Sequence, residues 1–445
     1  MVVDKRISIS KVNLGLDQVV VAGRITSVRK MKNFCFLDMS DVSGRIQIVI
    51  GTDKPISLPN LGDIVMATGK PVTTKTGQLS IACQDIDILS SSTENVSSAI
   101  KNHSDKTTGA LDRRSLDLMV NNNLKRMVKA RSLFIGIVRD HFREGGFLEV
   151  DTPVLSYARF AGSADVFETK SRTLKRNLYL RGTLEDYLKQ LVVAGFEKVF
   201  QIGDCFRNES PALIEFTMLE ATWAYAKSED MLQFIQDLIF KICEQLPDEL
   251  IDPKIKKELS SKIKVVTFWE VLKDYFKFDI RNLNEEDMRK LVKSHKYTFP
   301  QTKHYEYEIA KFGYDVIKRE LSVKFESPTF VGRFPACISP LAREIQDGKR
   351  EADRGYGFFK GQRLFEVVSE ANNFDEQLQK FQDQDNRSHR KQPFKHDDLL
   401  ASLSYGCPPM AGLGFNVNRI LAVLLNVSRT SDVMAFPLTS ANLPL

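Results

Sequence analysis

The chain has 445 residues, of which 42% are apolar and 27% charged. At roughly 150 residues per domain, that length holds two or three domains with a substantial core and excludes a largely disordered chain. Sixty-three Lys and Arg against 57 Asp and Glu leave +6, which permits a polyanionic partner without demonstrating one.

The first ninety residues read as strands. Val19 to Val28 and Asn33 to Met39 are apolar-rich runs, and Gly44 to Ile50 alternates with period two. Asp41 to Gly44 supplies a turn between the last two. Shorter runs follow at Ile64 to Ala67, Leu79 to Cys83 and Ile86 to Leu89. Five or so strands at this spacing predict a small closed barrel of the oligonucleotide-binding type, with a sandwich as the alternative. Ser90 to Gly109 turns polar and small, as a linker does.

Beyond the linker, Leu124, Met127, Val128, Phe134, Ile137, Val138 and Phe142 recur at helical spacing, and Gly145 and Gly146 end the helix. Phe147 to Val150 predicts a strand. A second helix is expected at Thr183 to Ala194, closed by Gly195. Glu197 to Arg207 and Phe216 to Tyr225 predict a β-hairpin, followed by a helix at Asp230 to Leu246. The lysine-rich stretch Glu249 to Thr298 shows no clear pattern. Further on come a strand at Leu364 to Val368, a helix at Phe374 to Gln382, a Gly-rich turn at Gly412 to Gly414 and a buried helix at Asn418 to Val427. The cysteines at 35, 83, 205, 243, 337 and 407 form no knuckle and no HExxH occurs, so no metal site is expected from either pattern. No run reaches the roughly 18 to 20 apolar residues that cross a bilayer, and the start is polar and basic, so a cytoplasmic chain is expected.

Three segments carry a resemblance. Gly-Gly-Phe-Leu-Glu-Val-Asp-Thr-Pro (145–153), Val-Phe-Gln-Ile-Gly-Asp-Cys-Phe-Arg-Asn-Glu (199–209) with Glu-Phe-Thr-Met-Leu-Glu (215–220), and Gly-Leu-Gly-Phe-Asn-Val-Asn-Arg (412–419) resemble motifs 1, 2 and 3 of the class II aminoacyl-tRNA synthetases. Tyr187 to Phe200, Phe334 to Arg343 and Tyr405 to Gly412 are similar to the lysine-specific members, and Asp41 to Gln47 is similar to their anticodon-binding barrel. The implied fold is α+β: a five-stranded oligonucleotide-binding barrel at 1–92, a linker at 93–118, and a catalytic domain at 119–445 with an antiparallel sheet flanked by helices. The resemblance also implies a homodimer through residues 128–153.

The implied reaction joins an amino acid to the α-phosphate of ATP, releases pyrophosphate and passes the acyl group to tRNA, the lysine-tRNA ligase reaction. Such chemistry needs fixed cations around phosphorus. By the resemblance, Arg207 meets the α-phosphate and the substrate carboxylate, Glu209 the adenine amino group, Phe216 the adenine face and Arg419 the γ-phosphate. Glu185, Glu220, Glu370 and Asn372 would line the amino-acid pocket, with Glu185 and Glu370 suiting the two ammonium groups of a basic amino acid. In the barrel, Phe36 and Gln47 match anticodon readers, and Arg29 could meet a phosphate.

Several positions depart from the family pattern. The motif 2 loop at Ser210 to Ile214 is short. Tyr356 and Arg363 stand where the family has acidic Mg²⁺ ligands, and Arg363 is therefore expected at the nucleotide as a fixed positive charge. Val368 replaces a pocket aromatic, Thr222 a tyrosine, and Asn416 and Asn418 replace Gly and Asp. Two alternatives to the ligase follow: an inactive or weak paralog that binds RNA or protein, and an amino-acid-activating enzyme with an acceptor other than tRNA.

Overall fold

The computed structural model describes residues 6–51, 56–93, 114–157, 165–208, 213–297, 304–387 and 397–438. They fall into two compact units, one containing the N-terminal strands and the other the chain from Asn122 onward.

The N-terminal strands are β1 (Val19–Lys30), β2 (Phe34–Ser40), β3 (Arg45–Gly51), β4 (Ile64–Thr73) and β5 (Leu79–Ser90). Alternation places Cys35, Leu37 and Met39 of β2 inside with Ile46, Ile48 and Ile50 of β3, as a pleated strand with one buried face requires. The turn before β3 is set by Asp41, whose carboxylate accepts from the backbone N–H groups of Ser43 and Gly44 at 2.7 and 3.0 Å. The runs around 79–83 and 86–89 form one strand, not two. It crosses a register shift where Thr68 and Gly69 pair with Asp85 and Cys83, so Gln84 has no opposite residue.

The strand order is β1-β2-β3-β5-β4, with β4 returning to β1. The ring closes as the expected barrel does, but its seams are unequal. β4 and β5 share ten antiparallel residue pairs. The β3–β5 seam is parallel and only three pairs long, Gln47 to Ser80 through Val49 to Ala82. The unit is a closed five-stranded barrel with uneven hydrogen bonding, because β3 and β5 run alongside each other only briefly.

The second unit is built on an eight-stranded sheet ordered β12-β13-β16-β17-β18-β11-β10-β6. These strands are β6 (Leu148–Glu149), β10 (Lys198–Phe206), β11 (Glu215–Ala224), β12 (Lys264–Thr267), β13 (Thr329–Gly332), β16 (Arg354–Phe359), β17 (Gln362–Ser369) and β18 (Met410–Asn416). Small sheets hold β7 (Leu155–Ser156), β8 (Glu168–Ser171) and β9 (Arg176–Leu180), and the pair β14 (Phe334–Pro335) and β15 (Glu351–Ala352). The expectation of an antiparallel sheet is corrected here. The six central strands are antiparallel, but β6 joins β10 and β12 joins β13 in parallel, so the sheet is mixed.

The helix Asn122–Glu144 buries Phe134, Ile137, Val138 and Phe142 against the sheet and the helix Ser228–Gln245. Its Arg131 donates to Thr217 at 2.6 Å and Asn418 at 3.1 Å, tying it to β11 and to the helix Val417–Leu424. Val128, Leu133 and Leu148 on the same stretch are exposed. The lysine-rich region resolves into the helices Pro253–Leu259, Phe268–Phe276 and Glu285–Ser294, each with a narrow buried row such as Phe268 and Leu272 or Met288 and Val292. Gly412 to Gly414 is not a turn but the middle of β18, between β11 and β17. Among the described residues no helix is long and apolar enough to cross a membrane.

Candidate active site

One face of the central strands carries a cavity of about 790 Å³. Its floor follows the period-two rule. Phe216, Met218, Glu220 and Thr222 of β11 line it, while the intervening Leu219 joins the hydrophobic core on the other face. The pairing registers align the lining residues in rows across the strands. Glu220 lies opposite Gly414, Gly414 opposite Glu366, and Glu366 opposite Tyr356. The neighbouring row runs Thr222, Gly412, Val368, Arg354. Glycine at 412 is required by close approach: a Cβ there would stand 2.1 Å from the Glu370 Oε1.

At one end of the cavity, carboxylates are held by a single helix start. Glu220 accepts from the Leu184 N–H at 2.9 Å and from the Thr183 hydroxyl at 3.0 Å, placing its charge at the N-terminus of the helix Glu185–Val193. Burial, then the negative charge of Glu185, pushes the Glu220 carboxyl up to about 8. One turn further on, Lys189 lies 2.6 Å from Glu185 Oε1 and 2.7 Å from Glu370 Oε2. Both Lys189 and Glu370 side chains are 2% exposed. Burial opposes the Lys189 charge, and the two carboxylates more than reverse that opposition and raise its pKa. Burial likewise raises the Glu370 carboxyl, with Lys189 pulling against it. Lys189 thus joins two of the three cavity-lining carboxylates, Glu185 and Glu370, while Glu220 is held by the helix start.

The other end is cationic. Arg207 follows β10 directly; its Nε donates to the Gly182 carbonyl at 3.1 Å and its guanidinium lies 5.2 Å from the centre of the Phe216 ring. Arg419 sits in the first turn of the helix Val417–Leu424, whose N-cap is Asn416: the side-chain oxygen accepts from the Arg419 N–H at 2.9 Å. The glycine expected at 416 is therefore unnecessary, because that position has φ −85° and uses a side chain. Arg363 donates to the Tyr314 hydroxyl at 2.9 Å. Burial, then the charges of Arg363 and Arg207, pushes the Arg419 guanidinium down to about 10.

The family model for class II tRNA synthetases (D, K and N) matches residues 80–440, and that for the OB-fold nucleic acid binding domain matches residues 19–89. Curated relatives include the lysine–tRNA ligase of Listeria welshimeri, 32% identical with 94% of this chain and 86% of the relative covered. Those of Salmonella arizonae and Escherichia coli K12 are 31% and 30% identical over the same shares. The chain belongs to the class II tRNA synthetases.

Within this synthetase fold, the structure brings Arg207, Phe216, Arg363 and Arg419 into one cavity with Glu185, Glu220 and Glu370. It does not bring Asn372 into that lining; its amide donates to the Cys407 carbonyl at 3.0 Å. Glu209 and residues 210–212 of the short motif 2 loop lie outside the described residues. In the N-terminal unit Arg29 pairs with Phe36 and Asp38 with Gln47, so the three expected readers share the outer face of β1–β3. Gln47 is only 5% exposed and accepts from Ser80 at 3.2 Å, whereas Arg29 stands well out and is 3.5 Å from Asp38.

Two residues were missed by the sequence reading. Lys189 is four residues after Glu185, a spacing that puts both on one helix face and was available as a signal. Tyr314 carried no signal, since its partner Arg363 is remote in the chain. The Mg²⁺ ligands implied by the resemblance do not fit this donor set. A phenol and a guanidinium occupy positions 356 and 363, and the nearby Glu366 is bonded to Arg354 at 2.6 Å. Among the described residues no cluster of His, Cys, Asp and Glu could hold a metal.

Proposed function

We propose that this chain activates an amino acid with ATP and transfers it to tRNA, in the manner of its lysine–tRNA ligase relatives. The carrying observation is the division of one cavity into a carboxylate end and a guanidinium end, with Arg207 lining it beside Phe216. The amino group would lie against Glu185 and Glu220. The amino-acid carboxylate would attack the α-phosphorus beside Arg207, and pyrophosphate would leave past Arg363 and Arg419. The ribose hydroxyl would then attack the acyl carbon, with loss of its proton and departure of AMP. Fixed guanidinium charges suit a reaction whose transition state gathers negative charge on phosphate oxygens.

Recognition of tRNA through Arg29, Phe36 and Gln47 on the N-terminal unit belongs to the same proposal, as does dimerisation through 128–153, where exposed Val128, Leu133 and Leu148 leave apolar surface. One observation favours a second reading of the substrate. Lys189 already neutralises Glu370 from within, so a neutral amino acid would suit the inner pocket better than one bearing a side-chain ammonium.

Amino-acid-dependent exchange of pyrophosphate into ATP, run across all twenty amino acids with and without total tRNA, tests the proposal. Lysine-stimulated exchange strongly reduced by Arg207→Ala supports the first reading, and exchange with a neutral amino acid the second. Exchange without transfer to tRNA indicates another acceptor. No exchange with any amino acid overturns the ligase and leaves an RNA- or protein-binding paralog.

A further inference from the structure

We propose that the phosphate end of this cavity compensates ATP with a fixed guanidinium cluster in place of a divalent metal, with Arg363 as its centre and Tyr314 as the residue positioning it. The inference rests on the ATP reading above and adds to it how the triphosphate charge is met.

Three observations carry it. First, Arg207, Arg363 and Arg419 reach the cavity from three separate elements, and among the described residues their guanidiniums donate to neutral oxygens. Arg363 donates to the Tyr314 hydroxyl at 2.9 Å, Arg207 to the Gly182 carbonyl at 3.1 Å and Arg419 to the Arg363 carbonyl at 3.4 Å. Among the described residues none of the three forms an ion pair with a carboxylate, and an anion placed among them would be held by charge-assisted hydrogen bonds; burial, then the charges of Arg363 and Arg207, lowers the Arg419 pKa.

Second, the described carboxylate that acts on Arg363 is already used. Glu366 accepts from Arg354 Nε at 2.6 Å, and Arg354 also donates to the Tyr356 hydroxyl. The Tyr356 ring lies between two guanidiniums, 5.1 Å from that of Arg354 and 4.6 Å from that of Arg363. A hard divalent cation needs several oxygen ligands of net negative charge. This site offers it a phenol engaged by Arg354, a neutralised carboxylate and adjacent positive charge.

Third, Arg363 is held in place. The helix Tyr305–Val316 contributes Tyr314, whose hydroxyl fixes one guanidinium nitrogen, while the Tyr356 ring supports its face. That leaves the remaining N–H groups to a ligand in a geometry suited to two phosphate oxygens. The buried Asn418 Nδ2, which has no hydrogen-bond partner among the described residues, belongs to a residue lining the same cavity.

The test is ATP and AMP binding by calorimetry, in excess EDTA and in millimolar Mg²⁺, for the full chain and for Arg363→Ala, Arg363→Lys and Tyr314→Phe. The wild-type affinity for ATP should change by less than about threefold when Mg²⁺ is removed. Arg363→Ala should weaken ATP in EDTA by roughly 10- to 100-fold while leaving AMP unchanged, because only the outer phosphates meet that residue. Tyr314→Phe should weaken ATP several-fold with AMP again unchanged, and Arg363→Lys should restore part of the loss. ATP binding that disappears in EDTA overturns the inference and leaves the proposed function intact. Equal loss of ATP and AMP in Arg363→Ala would assign that residue a structural role and also overturn it. ATP binding under neither condition overturns both.

Discussion

The carboxylate end and the guanidinium end of the cavity are lined by opposite kinds of ionisable group, yet they differ more in how those groups are held. Glu185 and Lys189 lie on one short helix, Glu220 caps that helix, and Glu370 reaches Lys189 from across the sheet. Each carboxylate there has a hydrogen bond or a cation. Arg207, Arg363 and Arg419 instead converge from a strand end, a strand and a helix, held by carbonyls, a phenol and aromatic faces. One end is internally compensated and is part of the fold's stability; at the other, burial and the neighbouring guanidiniums weigh against the charge of Arg419. Substitutions at the two ends should therefore fail differently, the first in stability and the second in chemistry.

The largest effect is expected from Lys189→Met. Removing the ammonium strands two carboxylates, one of them buried, and breaking a buried ion pair from one side costs about 3–5 kcal/mol. Urea unfolding should show this as a lower midpoint. An unchanged midpoint would erase the contrast between the two ends. Arg207→Ala should leave the midpoint nearly in place while lowering the pyrophosphate-exchange rate by roughly 10²–10³-fold, the scale of losing one donor to a developing anion.

The third expectation concerns pH. The Glu220 carboxyl is raised to about 8 in the folded chain, above the usual carboxylate range, so the folded state holds that proton more tightly than the unfolded one. This group's contribution to stability therefore declines as pH rises through that interval. An amino group bound beside Glu220 favours the ionised form. Amino-acid affinity should therefore climb between pH 6 and 8, by at most about tenfold per unit, and Glu220→Gln should flatten the profile. The smallest effect is expected from Asn416→Ala, which removes the cap of the helix bearing Arg419 and should cost about 1 kcal/mol.

The contrast also explains what could be read from the chain. The β10–β11 hairpin was legible because apolar alternation and a short connection are local, and so were most N-terminal strands. The central strand at Gly412 to Gly414 was not, because Gly412, which clears space for the Glu370 side chain, looks like a turn former when the neighbouring strand is unknown. The helices between Pro253 and Ser294 were hidden by exposed lysines around one narrow apolar row. At the site, resemblance supplied Arg207, Arg419, Glu185, Glu220 and Glu370. It also offered Asn372, which the fold employs on a backbone carbonyl. The pairing of Lys189 with Glu370, and of Arg363 with Tyr314, depends on strands and helices brought together from distant parts of the chain. No window of sequence holds both partners.

An experimental structure with ATP bound tests the central claim most directly. Triphosphate oxygens within hydrogen-bond distance of Arg207, Arg363 and Arg419, with the base against Phe216 and the Glu185–Glu220–Glu370 end left open, is the predicted result. A triphosphate bound away from those three arginines, or an adenine occupying the carboxylate end, would contradict it.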